Sequence, residues 1–201
     1  MIEYPLDAGG PTNSFCKTVI IINSIFTGML LVFLNFHLNI NSSKIGLIPD
    51  FLGYYYILKG LTELDGLSGH FSVAAPYTRG MIAFSSLCYA MDLFGISSLI
   101  VVGIPLIFVL GVTSSIISLV ISYNIILGIK DIEIFRGQAL NSRRLHSAWK
   151  LMAFFSLLPY ALLFFPPLET ISTIIGFIIA IHYLYTFNTT KLLFNEQNLV
   201  L

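Results

Sequence analysis

Charge is the scarcest thing in this chain. Lys, Arg, Asp and Glu make up 10% of its 201 residues, whereas 56% are hydrophobic; soluble domains carry roughly a quarter of charged residues. With a mean hydropathy of +0.87, a soluble core of this length cannot hide so much apolar side chain. The charges also cancel, ten basic against ten acidic, so no overall field recruits nucleic acid or an acidic substrate. Cysteine is nearly absent. Cys16 and Cys88 have no His or Cys companion at ligand spacing, so both read as small apolar side chains, with neither redox chemistry nor zinc expected. Residues 1–17 hold Glu3, Asp7, Pro5 and Pro11 without a basic segment, and no apolar run precedes Cys16. Neither a cleavable signal nor a lipoprotein anchor is expected. H-E-x-x-H, G-x-S-x-G and Walker motifs are missing as well, which weakens the metalloprotease, serine-hydrolase and nucleotide-hydrolysing readings and leaves no cofactor or metal expected.

What is abundant is long apolar runs. A bilayer core of about 30 Å takes about 20 helical residues, and only helices or closed barrels satisfy every backbone group in lipid. The runs are continuous, which selects helices. The expected fold is therefore all-α, a polytopic transmembrane bundle of about six spans: 18–39, the short 45–61, 80–102, 104–129, 148–165 and 169–187. Residues 81–129 are too long for one crossing and suit two joined at Gly103 and Pro105. Pro159 kinks the fifth span, and Pro166-Pro167 ends it. Residues 1–17 and 191–201 are polar ends around a single domain, 18–190.

Residues 130–150 form the one sizeable hydrophilic segment, with Lys130, Arg136, Arg143, Arg144 and Lys150 against Asp131 and Glu133. It reads either as a solvated loop or as an amphipathic interfacial helix using Ile132, Phe135, Ala139, Leu145 and Trp149. Either way the positive-inside rule makes it cytoplasmic. With six crossings both termini are cytoplasmic and only Lys44 of the ten basic residues lies outside; a re-entrant 45–61 moves the N-terminus outside and makes Lys17 the exception. The rule does not choose between them, and a thin bilayer suits six crossings.

Polar residues in such a chain draw notice. Asp50 follows Pro49 at the start of the short segment, where a carboxylate suits free N–H groups and the dipole of a helix start; the other reading is a carboxylate at a cavity mouth, binding a proton or cation. Gly53 and Gly60, seven apart, present one face for close helix approach, and Tyr54, Tyr55 and Tyr56 form an interfacial belt or stack. Asp92 lies 13 residues past Arg79, about 20 Å into the membrane by helical rise. It is either a protonated interhelical hydrogen bonder or part of an ion path. His182, beside Tyr183, reads as a polar interfacial anchor or a relay. Asn23 and Asn124 read as interhelical donors. Ser114, Ser118 and Ser122, and likewise Ser172, Gly176 and Ala180, form small-residue stripes for tight packing against each other or a second subunit.

The run from Leu47 through Pro49, Asp50, Phe51, Gly53 and Tyr54, followed by Gly60-Leu61, resembles an L-P-D-F-x-G-Y element of an uncharacterised family of small bacterial multi-pass membrane proteins. Gly128 to Glu133, with Leu145 and Trp149, is similar to that family's middle loop. The resemblance implies the architecture and the standing of Pro49, Asp50, Gly53 and Tyr54, but no reaction. The expected function is a non-enzymatic support or partner-binding subunit of the bacterial plasma membrane, in contact with the bilayer and with a membrane-protein partner or a second copy. The alternative is a small proton- or cation-coupled permease using Asp50 and Asp92, and an intramembrane enzyme stands third.

Overall fold

The computed structural model of the 201-residue chain describes residues 11–33, 37–40, 43–46, 49–94, 104–137, 139–162 and 164–199. Within these, side chains are described for 22–33, 49–91, 93–94, 108–137, 139–162 and 164–196. Six helices carry the fold: α1 (Pro11–Phe33), α2 (Asp50–Leu64), α3 (Gly69–Leu93), α4 (Ile104–Arg136), α5 (Ser142–Ala161) and α6 (Pro166–Leu199). Two strands, β1 (His37–Ile40) and β2 (Ser43–Gly46), pair antiparallel between α1 and α2, with His37 opposite Gly46 and Ile40 opposite Ser43. The architecture is helical, as expected, and this short hairpin is its one addition among the described residues. The first helix stops at Phe33 because His37-Leu38-Asn39-Ile40 alternates polar and apolar, a period of two that suits a strand.

The helices run up and down in a closed ring. Each packs on the next, and α6 returns to α1. Antiparallel pairing is explicit between α4 and α5, where Gly111 meets Tyr160, Ser122 meets Trp149 and Glu133 meets Ser142. At the closing seam Phe26 stacks on Phe187 and Tyr183 donates to Met29 Sδ at 3.6 Å. Six of the central side chains, Met29, Leu61, Phe71, Ile125, Tyr183 and Phe187, come from five different helices and are all but fully buried.

Element ends follow local chemistry. Pro49, in extended conformation, precedes the first residue of α2, and its carbonyl accepts from Leu52 N–H at 3.0 Å. The short helix therefore starts at Asp50, not at residue 45, and continues to Leu64. α3 begins at Gly69, well before residue 80: Phe71, Ala74 and Thr78 are buried at helical spacing, and the helix accommodates Pro76. Residues 130–150 are not one loop. α4 continues to Arg136 because Ile132 is buried, Gly137 stops it with a φ of +65°, and α5 begins after Asn141, whose φ is +58°. Nor are they a single amphipathic helix, since Phe135 is 90% exposed while Leu145 is buried. α6 runs past residue 187 because Thr190 and Phe194 are buried too. Among the described residues, two helices, Phe108–Arg136 and Pro166–Glu196, are long and apolar enough to cross a membrane, and Ile22–Phe33 is a shorter apolar helix.

Candidate functional site

The residues singled out by sequence do not converge on one point. Tyr54 and Ser118 do meet: facing across the ring from α2 and α4, their hydroxyls share a 2.9 Å hydrogen bond. The tyrosine triplet splits, Tyr54 buried while Tyr55 and Tyr56 lie on the outer surface, edge to face with each other at 6.0 Å. Asp50 is half-buried in the first turn of α2. The side chain of Asp92 lies outside the described residues. His182 is exposed on α6, beside Arg143 and Arg144 of α5 in a groove of about 620 Å³.

The glycine contacts are tighter than the stripes alone suggest. Gly53 packs on α1, and a side chain built on Gly28 would come within 2.5 Å of the Gly53 carbonyl oxygen. Backbone meets backbone there, so nothing larger than hydrogen fits without separating the helices. Gly60 is buried on the same helix. On α4, Ser114 donates to Gly111 of its own helix, Ser118 to α2 or from it, and Ser122 accepts from Trp149 Nε1 of α5 at 2.9 Å. On α6, Ser172 and Ala180 are buried, and a side chain on Gly176 would lie 3.3 Å from the Phe155 carbonyl oxygen of α5. The two stripes do not pack on each other: α5 touches both, and the α4 stripe also reaches α2. Asn124 donates to Val120 of its own helix, at 2.8 Å, and not across helices.

Sequence reasoning missed Gly28 and Gly128, the latter lying directly under the Phe71 ring. It also missed how polar groups gather where α2 meets α3 and α4 meets α5. Ser68 donates to Asp131 Oδ2 at 2.6 Å and His70 Nε2 lies 3.8 Å from the same oxygen. Glu133 Oε2 accepts the Ser142 N–H at 3.0 Å, satisfying a free donor at the start of α5. Between α4 and α5 opens a second groove of about 750 Å³, lined by Lys130, Arg143, His146 and Lys150 with Tyr123 and Ile134 among its other walls. Tyr123 and His146 form its aromatic side, their rings 5.8 Å apart, and Trp149, not itself a lining residue, packs on the Tyr123 ring at 4.8 Å. Partial burial disfavours the charged imidazole of His146 and the Lys150 and Lys130 ammonium groups repel it, so its pKa lies below the ordinary histidine value.

Among the described residues, no three His, Cys, Asp or Glu side chains come close enough to hold a metal ion. What the arrangement offers chemically is a cation-lined cleft at one end of a ring whose middle is filled with hydrocarbon and aromatic side chains. Comparison of the chain with known protein families, with curated proteins and with solved structures gives no match.

Proposed function

We propose that the chain is a six-span protein of the bacterial plasma membrane that serves as a non-catalytic support or partner-binding subunit. The up-and-down order of six helices supports this placement, since it brings the start of α1, the α4–α5 turn and the end of α6 to the same end of the ring, where nine of the ten basic residues are cytoplasmic in the six-crossing arrangement. The short α2, 15 residues or about 22 Å of helix, then spans a thinned bilayer. The L-P-D-F-x-G-Y element is, on this reading, the device that starts α2 and docks it against α1.

One observation carries the support reading. The described interior is sealed, with Met29, Leu61, Phe71, Ile125, Tyr183 and Phe187 filling it, while the outer face of α6 is an unpartnered ridge of Ile171, Ile174, Ile178, Ile181 and Tyr185, all exposed and spaced alternately by three and four. Most described hydroxyls on the long helices, such as Thr78 and Ser85, bond to carbonyls of their own helix, which takes them out of any polar path along the ring. A ridge of that spacing offers a seam to another helix.

Mild detergent extraction of tagged protein should therefore bring down a stoichiometric membrane partner or a second copy. Ile174→Trp with Ile178→Trp should abolish that association while leaving yield intact. A proton- or cation-dependent flux in proteoliposomes that Asp50→Asn or Asp92→Asn removes would overturn the reading in favour of the permease.

A further inference from the structure

Acidic and basic groups are unequally committed around the α4–α5 groove. Asp131 is held by Ser68 and His70, and Glu133 by the start of α5. Among the described residues, Lys130, Arg143 and Lys150 form no ion pair. Three cations thus face a cleft lined by one carboxylate, Glu133, whose Oε2 is turned to the Ser142 N–H, and the repulsion that this excess of positive charge leaves is relieved by an anion placed among them. The groove is also apolar on one side: Ile134 lines it and is 70% exposed, and Phe135 next to it is 90% exposed. Large apolar side chains beside unpaired cations suit a ligand that is anionic at its head and hydrocarbon in its tail.

We propose that the groove between the end of α4 and the start of α5 binds a phosphate group, presented by an anionic phospholipid at the cytoplasmic surface. Lys130, Arg143 and Lys150 hold the phosphate oxygens, Tyr123 stands beside the glycerol region, and Ile134 meets the acyl chain. The assignment to a lipid rests on the membrane placement proposed above; the phosphate chemistry does not.

The test uses the full chain in detergent and in nanodiscs. Titration with phosphatidylglycerol should raise the melting temperature saturably, and phosphatidylcholine should not. Lys130→Gln, Arg143→Gln and Lys150→Gln combined should weaken phosphatidylglycerol binding at least tenfold, whereas Lys59→Gln, an exposed cation on α2 away from the groove, should leave it unchanged. Inorganic phosphate and glycerol phosphate form a second arm. Competition by either at concentrations comparable to the lipid supports the phosphate site and assigns it to a soluble ligand, while failure to compete assigns it to the lipid. Undiminished binding by the triple variant, or an equal response to phosphatidylcholine, overturns the proposal. Carbonate washing of membranes separates the two claims: release of the chain defeats the membrane placement, whereas a retained chain that binds no anionic lipid defeats only the groove.

Discussion

At the scale of single residues, the sharpest constraint is the contact of Gly28 with Gly53. A methyl group on Gly28 meets a carbonyl oxygen, which cannot rotate away as a side chain can. Gly28→Ala should cost about 1–3 kcal/mol through forced separation of α1 and α2, whereas Gly80→Ala, with open space around it, should be neutral or better. Unfolding in mixed micelles compares the two. His146 makes a second prediction, at the polar end and outside the proposed spans. Its folded pKa lies below the 6.5 of an unperturbed histidine, so between those two values the unfolded chain binds the extra proton. Stability is then full above about 6.5 and declines as pH falls from there through the folded value. His146→Gln should flatten that part of the stability profile; an unchanged slope would remove the argument.

At the scale of elements, the small-residue stripe of α6 predicts that Gly176→Leu lowers yield and thermal stability well below Ile175→Leu, because Gly176 lies against the Phe155 backbone while Ile175 faces outward. Equal behaviour of the pair would count against the stripe. The long apolar runs made α4 and α6 legible from sequence, as did Gly103 for the start of α4, whereas Pro166-Pro167, read as the end of the fifth span, proves to be the first turn of α6. The first third of α3 was not legible. Gly69, His70, Ser72 and Pro76 speak for a loop, and the burial of Phe71, Ala74 and Thr78, with Phe71 against Gly128, distant in sequence, overrides them. The turn at Gly137 was readable in principle, since a glycine directly after Arg136 is a common helix stop. The paired use of Tyr54 and Ser118 was not: each was visible as a polar residue in an apolar run, but nothing local says that α2 and α4 face one another. The cation groove was hidden for the same reason, because where the Asp131 and Glu133 carboxylates point is set by Ser68 and Ser142.

At the scale of the whole molecule, the ring order fixes what each side of the membrane sees if the proposed placement holds. In a background with Cys16 and Cys88 replaced, Arg144→Cys and Glu196→Cys, both exposed at the polar end, should resist an impermeant thiol reagent added to intact cells. Phe164→Cys, 87% exposed between α5 and α6, should react. The reverse pattern would invert the orientation, and reaction at both ends would dissolve the bundle reading altogether.

The seam between α1 and α6 also sets a condition on biosynthesis. Of the six helices, α1 is made before the other five and is completed by α6, so Phe26, Met29 and Phe33 wait, uncovered, for Tyr183 and Phe187 to be made. A nascent chain halted before α6 is an open curve with its first wall bare, and it should be a target for proteases. Cutting the gene at the α5–α6 junction and expressing 1–165 with 166–201 as separate chains ought to restore the level of the first fragment, because the missing wall needs no covalent link to be recognised, only the matching face.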